Sequence, residues 1–172
     1  LLNSEMPPEG IDRTAHLTRK FGSEARVRRV YGSIAETGQS VDIDFAFERI
    51  DRTPNSLASH RLVIFAERNG VASAAVERLF INYFHFGRDI GRTNVLCEIA
   101  AEVGLNMAEV EAYLDSQEDI ERVYTANTRA HRLGVNGVPA FVFEGGMVIA
   151  GAQDSQILAR VLDAAAINNS AH

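Results

Sequence analysis

Few side chains in this sequence are equipped for chemistry, and their spacing narrows what they can do. Cys97 is the single cysteine, so no disulfide forms within these residues. It falls mid-helix beside Leu96, Ile99 and Ala100, with Glu98 and Glu102 near it and no cationic neighbour at helical spacing. Acidic neighbours raise a thiol pKa, so a buried small residue describes Cys97 better than a nucleophile does. His16, His85, His131 and His172 share no His-X-X-X-His spacing, and no metal site is expected. A Gly-X-Gly-X-X-Gly loop, a Walker loop and a nucleophile elbow are absent, which removes support for nucleotide binding and serine hydrolysis. Two polar groups remain as candidates. His60 shares a helix face with Leu57 and Ile64, and Asn55 stands where a helix begins. Taken alone, the first reads as a packed core histidine and the second as a helix cap. Val138-Pro139, taken alone, reads as a proline opening a strand.

These groups need a frame, and the pattern of the chain supplies one. Asp12 predicts the N-cap of a helix ending near Phe21-Gly22, and Ser23 begins a second that Gly38 ends. In that second helix Val27, Val30, Tyr31 and Ile34 fall on one face. Val41–Phe47 alternates apolar and acidic residues, as a short extended segment does. Arg52-Thr53-Pro54-Asn55 breaks the chain, and Asn55 or Ser56 caps a helix to about Arg68, stopped by Asn69-Gly70. Val76, Leu79, Phe80, Tyr83 and Phe84 form a wide stripe on a helix ending at Gly87. Leu96, Ile99, Ala100 and Val103 form another, stopped at Gly104. Asn106 caps a short successor carrying Met107, Val110 and Leu114. A polar helix from about Glu118 to Leu133 ends at Gly134.

Beyond Gly134 the character changes. Ala140–Phe143 and Met147–Ala150 are rich in strand formers, and Glu144-Gly145-Gly146 between them supplies the positive φ angles of a tight hairpin. Phe141–Phe143 is apolar on both faces, as a strand inside a sheet would be. A last helix is expected to bury Ile157, Leu158, Val161, Leu162 and Ala165.

Composition sets the outer bounds. The 172 residues are 46% hydrophobic and 23% charged, ordinary for a globular protein with a filled core. Disorder is expected only at the Asn168–His172 tail. Seventeen basic against 23 acidic residues give a net charge of -6, which does not attract nucleic acid. No apolar run is long enough for a membrane span, and no signal-peptide pattern opens the chain. The single cysteine fits a reducing compartment.

Gly134-Val135-Asn136-Gly137-Val138-Pro139-Ala140-Phe141-Val142-Phe143, followed by Gly151-Ala152-Gln153, resembles the cis-proline loop and final hairpin of DsbA-like thioredoxin-fold proteins of the FrnE type. Upstream, Leu2-Asn3 and Met6-Pro7-Pro8-Glu9-Gly10 resemble the segment leaving that family's second strand. Arg52-Thr53-Pro54-Asn55-Ser56 with His60-Arg61-Leu62 resembles its helical insert. The resemblance implies an α/β, thioredoxin-like fold of DsbA type with a large all-helical insertion, mostly helical here and closing in a β-hairpin. The implied parts are a strand remnant at 1–11, a helical insertion at 12–133, a C-terminal thioredoxin half at 134–167 and a tail at 168–172.

The implied function is thiol–disulfide exchange in the cytoplasm. Val138 and Pro139 would form the catalytic cis-proline loop, and Gly137, Asn55 and His60 would line the substrate groove. The Val138 backbone would pair strand-to-strand with an extended substrate. In the family the reactive Cys-X-X-Cys opens the first helix, and the resemblance begins after that point. The nucleophile is therefore expected outside these residues, about 40 residues upstream by the length of a strand–helix–strand unit, and the chain by itself is expected to be inactive. Residue 1 is Leu, so nothing fixes it as a native start. No metal or organic cofactor is implied, with glutathione admitted as a co-substrate, and the partners are protein or small-molecule thiols and disulfides. The oligomeric state stays open, a dimer included. Two other readings use the same residues: a glutathione-binding isomerase or transferase of the 2-hydroxychromene-2-carboxylate isomerase or kappa-class type, and a non-catalytic binding module.

Overall fold

A computed structural model describes residues 6–143 and 147–169. The expected strand remnant at Leu2-Asn3, the Glu144-Gly145-Gly146 turn, the side chain of Ala165 and the end of the 168–172 tail lie outside the described residues. The chain divides into two compact units, Leu2–Val123 and Tyr124–His172, with the division inside one helix. Among the described residues, no helix is long and apolar enough to cross a membrane.

The larger unit opens with a ribbon. Strand β1 (Ile11–Asp12) pairs antiparallel with β2 (Arg52–Thr53), Ile11 opposite Thr53. The pattern did not reveal these strands, because two residues are too few to display a period. Gly10 precedes β1 at a φ of 70°, and a Cβ there would stand 2.5 Å from the Thr53 carbonyl oxygen. Only glycine permits that approach.

Between the strands lie helices α1 (Arg13–Phe21) and α2 (Glu24–Gln39), started by the side chains of Asp12 and Ser23 as expected. The Asp12 carboxylate accepts from the Ala15 N–H at 2.7 Å, taking up one of the orphan donors of a helix start. The predicted extended segment at Val41–Phe47 is not a strand. Asp42 has a φ of 61°, and the Ile43 N–H donates back to the Gly38 carbonyl, so the chain reverses over the end of α2. The Phe45 ring packs where a Gly38 Cβ would be, and the segment ends in a 3-10 turn at Phe47–Arg49.

Helices α3 (Leu57–Arg68), α4 (Ala72–Phe80), α5 (Thr93–Glu102) and α6 (Met107–Asp115) form the core. Leu62, Leu96, Ile99 and Val110 are fully enclosed there, with Leu79, Val95, Tyr113 and Leu114 around them. The stripe expected to run unbroken to Gly87 changes pitch. After Phe80 the helix widens into a π turn at Ile81–His85, which turns Asn82 and Tyr83 inward and leaves Phe80 exposed.

Helix α7 (Ile120–Arg132) leads to the smaller unit, where β3 (Ala140–Val142) pairs antiparallel with β4 (Val148–Ala150). The hairpin is as predicted, but β3 is not interior to a sheet. Among the described residues it has one partner strand, and Val142 is 51% exposed. Helix α8 (Ser155–Asn169) departs from expectation likewise, with Ile157 and Leu162 exposed rather than buried. A two-stranded ribbon offers too little apolar surface to cover that face.

Candidate functional site

The loop joining α7 to β3 is set by the way α7 ends. Gly134 adopts a left-handed φ of 85°, which lets its own N–H and that of Val135 donate back to the carbonyls of His131 and Ala130. Val135 is thereby buried, and the chain then turns outward. Asn136 steadies the turn by donating from Nδ2 to the Gly134 carbonyl at 3.4 Å. At Gly137 nothing lies within 4 Å of where a Cβ would stand, so the backbone here is open to approach. Val138 comes next at 74% exposure, an unusual position for a β-branched apolar residue. The Val138–Pro139 peptide bond is cis.

Beyond this bond the chain is anchored. The Gly151 N–H donates to the Pro139 carbonyl at 2.8 Å, just beyond the register that pairs Ala140 with Ala150. The Phe143 N–H donates to the Met147 carbonyl at the other end. Gln153 returns its side-chain amide to the Ala150 carbonyl. Val138 differs from all of these. Among the described residues, no backbone hydrogen bond takes up its N–H or its carbonyl. Gly137, Val138 and Pro139 thus form one exposed stretch in which the Val138 backbone groups are unspent, held on one side by the end of α7 and on the other by the bonded Pro139 carbonyl.

Asn55 and His60 belong to the larger unit. Asn55 behaves as a cap and more: its Oδ1 accepts from the Leu57 N–H, and its Nδ2 donates to the Met6 carbonyl at 2.9 Å. Both ends of the amide are spent on the backbone, so Asn55 is a clamp at the start of α3. His60 is exposed, which corrects its reading as a packed core residue. Partial desolvation lowers its imidazole pKa from the ordinary value.

Cys97 sits in the core at 5% exposure. Burial pushes its thiol pKa up, and Glu111, Asp115 and Glu98 push it further. Glu111 and Asp115 reach it from α6, a cross-helix effect that sequence spacing does not display. Among the described residues, no three His, Cys, Asp or Glu side chains converge as metal ligands would.

Two arginines are enclosed in a way that spacing alone does not reveal. Arg61, 4% exposed, faces the end of α6 and donates to the carbonyls of Tyr113, Leu114, Ser116 and Glu118. Its cation meets the negative end of that helix, and the Tyr113 ring lies 4.9 Å away. Arg13, 8% exposed, lies beside the Tyr31 and Phe47 rings.

A family model described as a DSBA-like thioredoxin domain matches residues 1–163. The chain belongs to that family. The DsbA-like fold expected from the Gly134–Gln153 motif is the one observed, mostly helical with short strands. A solved structure described as a probable DsbA oxidoreductase from Streptomyces coelicolor is similar over 94% of this chain and 70% of its own, with a TM-score of 0.84 and 23% identity. At that identity the likeness speaks for the fold. No curated protein matches the chain.

Proposed function

We propose that this DsbA-like chain is part of a FrnE-type protein disulfide oxidoreductase of the cytoplasm, with its Cys-X-X-Cys dithiol in a segment outside these 172 residues. The observation that carries the reading is the exposed Gly137–Pro139 stretch, whose Val138 backbone groups are unengaged while the residues after it are fixed. An extended substrate chain laid along Val138 would gain main-chain hydrogen bonds without displacing any existing ones. The open space at Gly137 admits that chain closely.

The chemistry is thiol–disulfide exchange. The N-terminal thiolate of the dithiol attacks one sulfur of a substrate disulfide. The substrate S–S bond breaks, its electron pair leaves on the departing sulfur, and a mixed disulfide forms. The second cysteine of the dithiol then displaces the substrate, which departs reduced while the dithiol becomes a disulfide. The reverse sequence oxidises a substrate dithiol. Val138 and Pro139 position the substrate in this scheme. Asn55 contributes by holding the start of α3. Cys97, with a raised pKa and no access, takes no part.

The test is insulin reduction by the protein carrying its native upstream sequence. Turnover that disappears when the first upstream cysteine is changed to Ala, and a trapped mixed disulfide when the second is changed, are the expected results. These 172 residues alone should give no turnover. An upstream strand–helix unit without cysteine would sink the dithiol reading. Saturable glutathione binding without exchange would point instead to an isomerase or transferase on the same loop.

A further inference from the structure

Away from that loop the larger unit holds an apolar hollow around Phe80, Phe84 and Phe86, the enclosed Cys97 thiol, and a cavity between α1 and α2. The cavity alone contains a buried charge that, among the described residues, has no ion-pair partner. Arg13 is 8% exposed, and among the described residues no carboxylate lies within ion-pairing distance of it. Its one hydrogen bond there is a long one, from Nη1 to the Tyr83 hydroxyl at 3.3 Å. The Tyr31 and Phe47 rings, with centroids 4.8 and 5.8 Å from the guanidinium carbon, stabilise the cation through their π faces. They offer nothing to its in-plane N–H donors. A guanidinium presents five such donors in a fork suited to an oxyanion.

Arg13 forms part of the wall of a cavity of about 490 Å³, a volume in the range of small-molecule sites. Leu17, Val27, Tyr31, Ala35 and Phe47 provide an apolar wall. Charge on the remaining wall sorts the candidate anions. Glu24, Glu48 and Asp51 line the cavity against Arg13 and Arg28, and Arg28 is already paired with Glu24 at 3.3 Å. Glu48 has only a distant partner, Arg49 at 3.8 Å. With Asp51 it repels a dianion such as phosphate more strongly than a single negative charge, for which the in-plane donors of Arg13 are the favourable contact.

We propose that the cavity between α1 and α2 binds a small monocarboxylate with an apolar body, its carboxylate seated on the Arg13 guanidinium and its body between α1 and α2. This site is independent of the redox reading, since none of its lining residues belongs to the Gly137–Pro139 loop.

The probe is 3-phenylpropionate, titrated into the ¹⁵N-labelled protein carrying its native upstream sequence, with amide shifts as the readout. Its neutral counterpart, 3-phenylpropionamide, and inorganic phosphate serve as comparisons. Saturable shifts at Thr14, Tyr31 and their neighbours are expected, with the amide binding about tenfold more weakly for loss of a charge-assisted contact. Gly32→Leu provides the blocking variant. Gly32 lines the cavity, and a Cβ added there meets nothing within 4 Å, so the backbone accepts a larger side chain at the cavity wall. The acid's shifts should vanish in Gly32→Leu while the rest of the spectrum stays in place. Arg13→Met should abolish them as well; should that variant fail to fold, Gly32→Leu and the amide decide. Equal binding of acid and amide overturns the proposal, as does stronger binding of phosphate. Shifts that persist in Gly32→Leu, or none up to about 10 mM acid, overturn it too.

Discussion

Arg61 and Arg13 are both nine-tenths buried, and the larger unit treats them in opposite ways. Arg61 is bonded to four backbone carbonyls at the end of α6. Its charge is spent on joining α3 to the α6–α7 turn, and four of its five N–H donors are taken up by those carbonyls. Arg13 has two aromatic neighbours and one long hydrogen bond within the described residues. Burial alone therefore does not tell a structural cation from a receptive one. The count of satisfied donors does.

Removing Arg61 should have the largest effect. Arg61→Met removes a guanidinium donor from four carbonyls, those of Tyr113 and Leu114 in buried contacts, and is expected to lower stability by about 3–5 kcal/mol in urea denaturation. A loss below about 1 kcal/mol would show that water replaces the guanidinium and would dissolve the contrast. Arg61→Lys keeps the charge but cannot reach four acceptors in a fork, so about 2 kcal/mol is expected by the same measurement.

The Tyr113 hydroxyl sharpens the picture of this region. It donates to Asp119 Oδ2 at 2.7 Å, and burial, followed by that carboxylate, pushes its pKa up to about 12. The unfolded phenol ionises near 10. Protons therefore leave the unfolded chain first, and stability present below pH 10 should fall as pH rises toward 12. Denaturation midpoints across that window should slope downward, and Tyr113→Phe should flatten the slope. An unchanged slope would place the titration elsewhere.

Arg13→Met should have the smallest effect. It removes a cation–π contact and one long hydrogen bond but adds apolar volume beside Tyr31 and Phe47, so about 1 kcal/mol or less is expected. A loss equal to that of Arg61→Met would mean that Arg13 too is structural, and the urea curve of the variant would reveal it.

Much of the frame was legible because side chains announce helix starts. Asp12, Ser23 and Asn106 each accept from the first-turn amides as their residue types predict. The hairpin was legible from two short runs of strand formers. The features that escaped depended on contacts across the fold. Alternation at Val41–Phe47 imitated a strand, but the Gly38 backbone offered a place for the Phe45 ring and the chain turned back. Helical spacing past Phe80 could not disclose the π turn, since the pattern assumes constant pitch. The exposed loop at Gly137–Pro139 was visible as a motif, and Asn55 as a cap. The second bond of Asn55, to Met6, was not visible, since 49 residues separate the partners. Arg13 escaped for a simpler reason: an arginine in a polar helix start reads as surface, and only packing reveals that it is enclosed.

The ribbon of β1 and β2 has an architectural consequence. Arg52 Nη2 donates to the Glu9 and Gly10 carbonyls, Asn55 holds Met6, and Ile11 stands opposite Thr53, so the chain departs and returns at adjacent points. Everything from Arg13 to Asp51 is an excursion that leaves and returns at this ribbon, steadied further along by the Ala46 N–H on the Phe84 carbonyl and by Arg13 on Tyr83. Such a segment can lengthen, shorten or be exchanged between relatives while α3 keeps its footing, because closing a longer excursion between fixed ends costs only logarithmically with its length. Diversity among proteins of this architecture is thus expected to concentrate in that excursion.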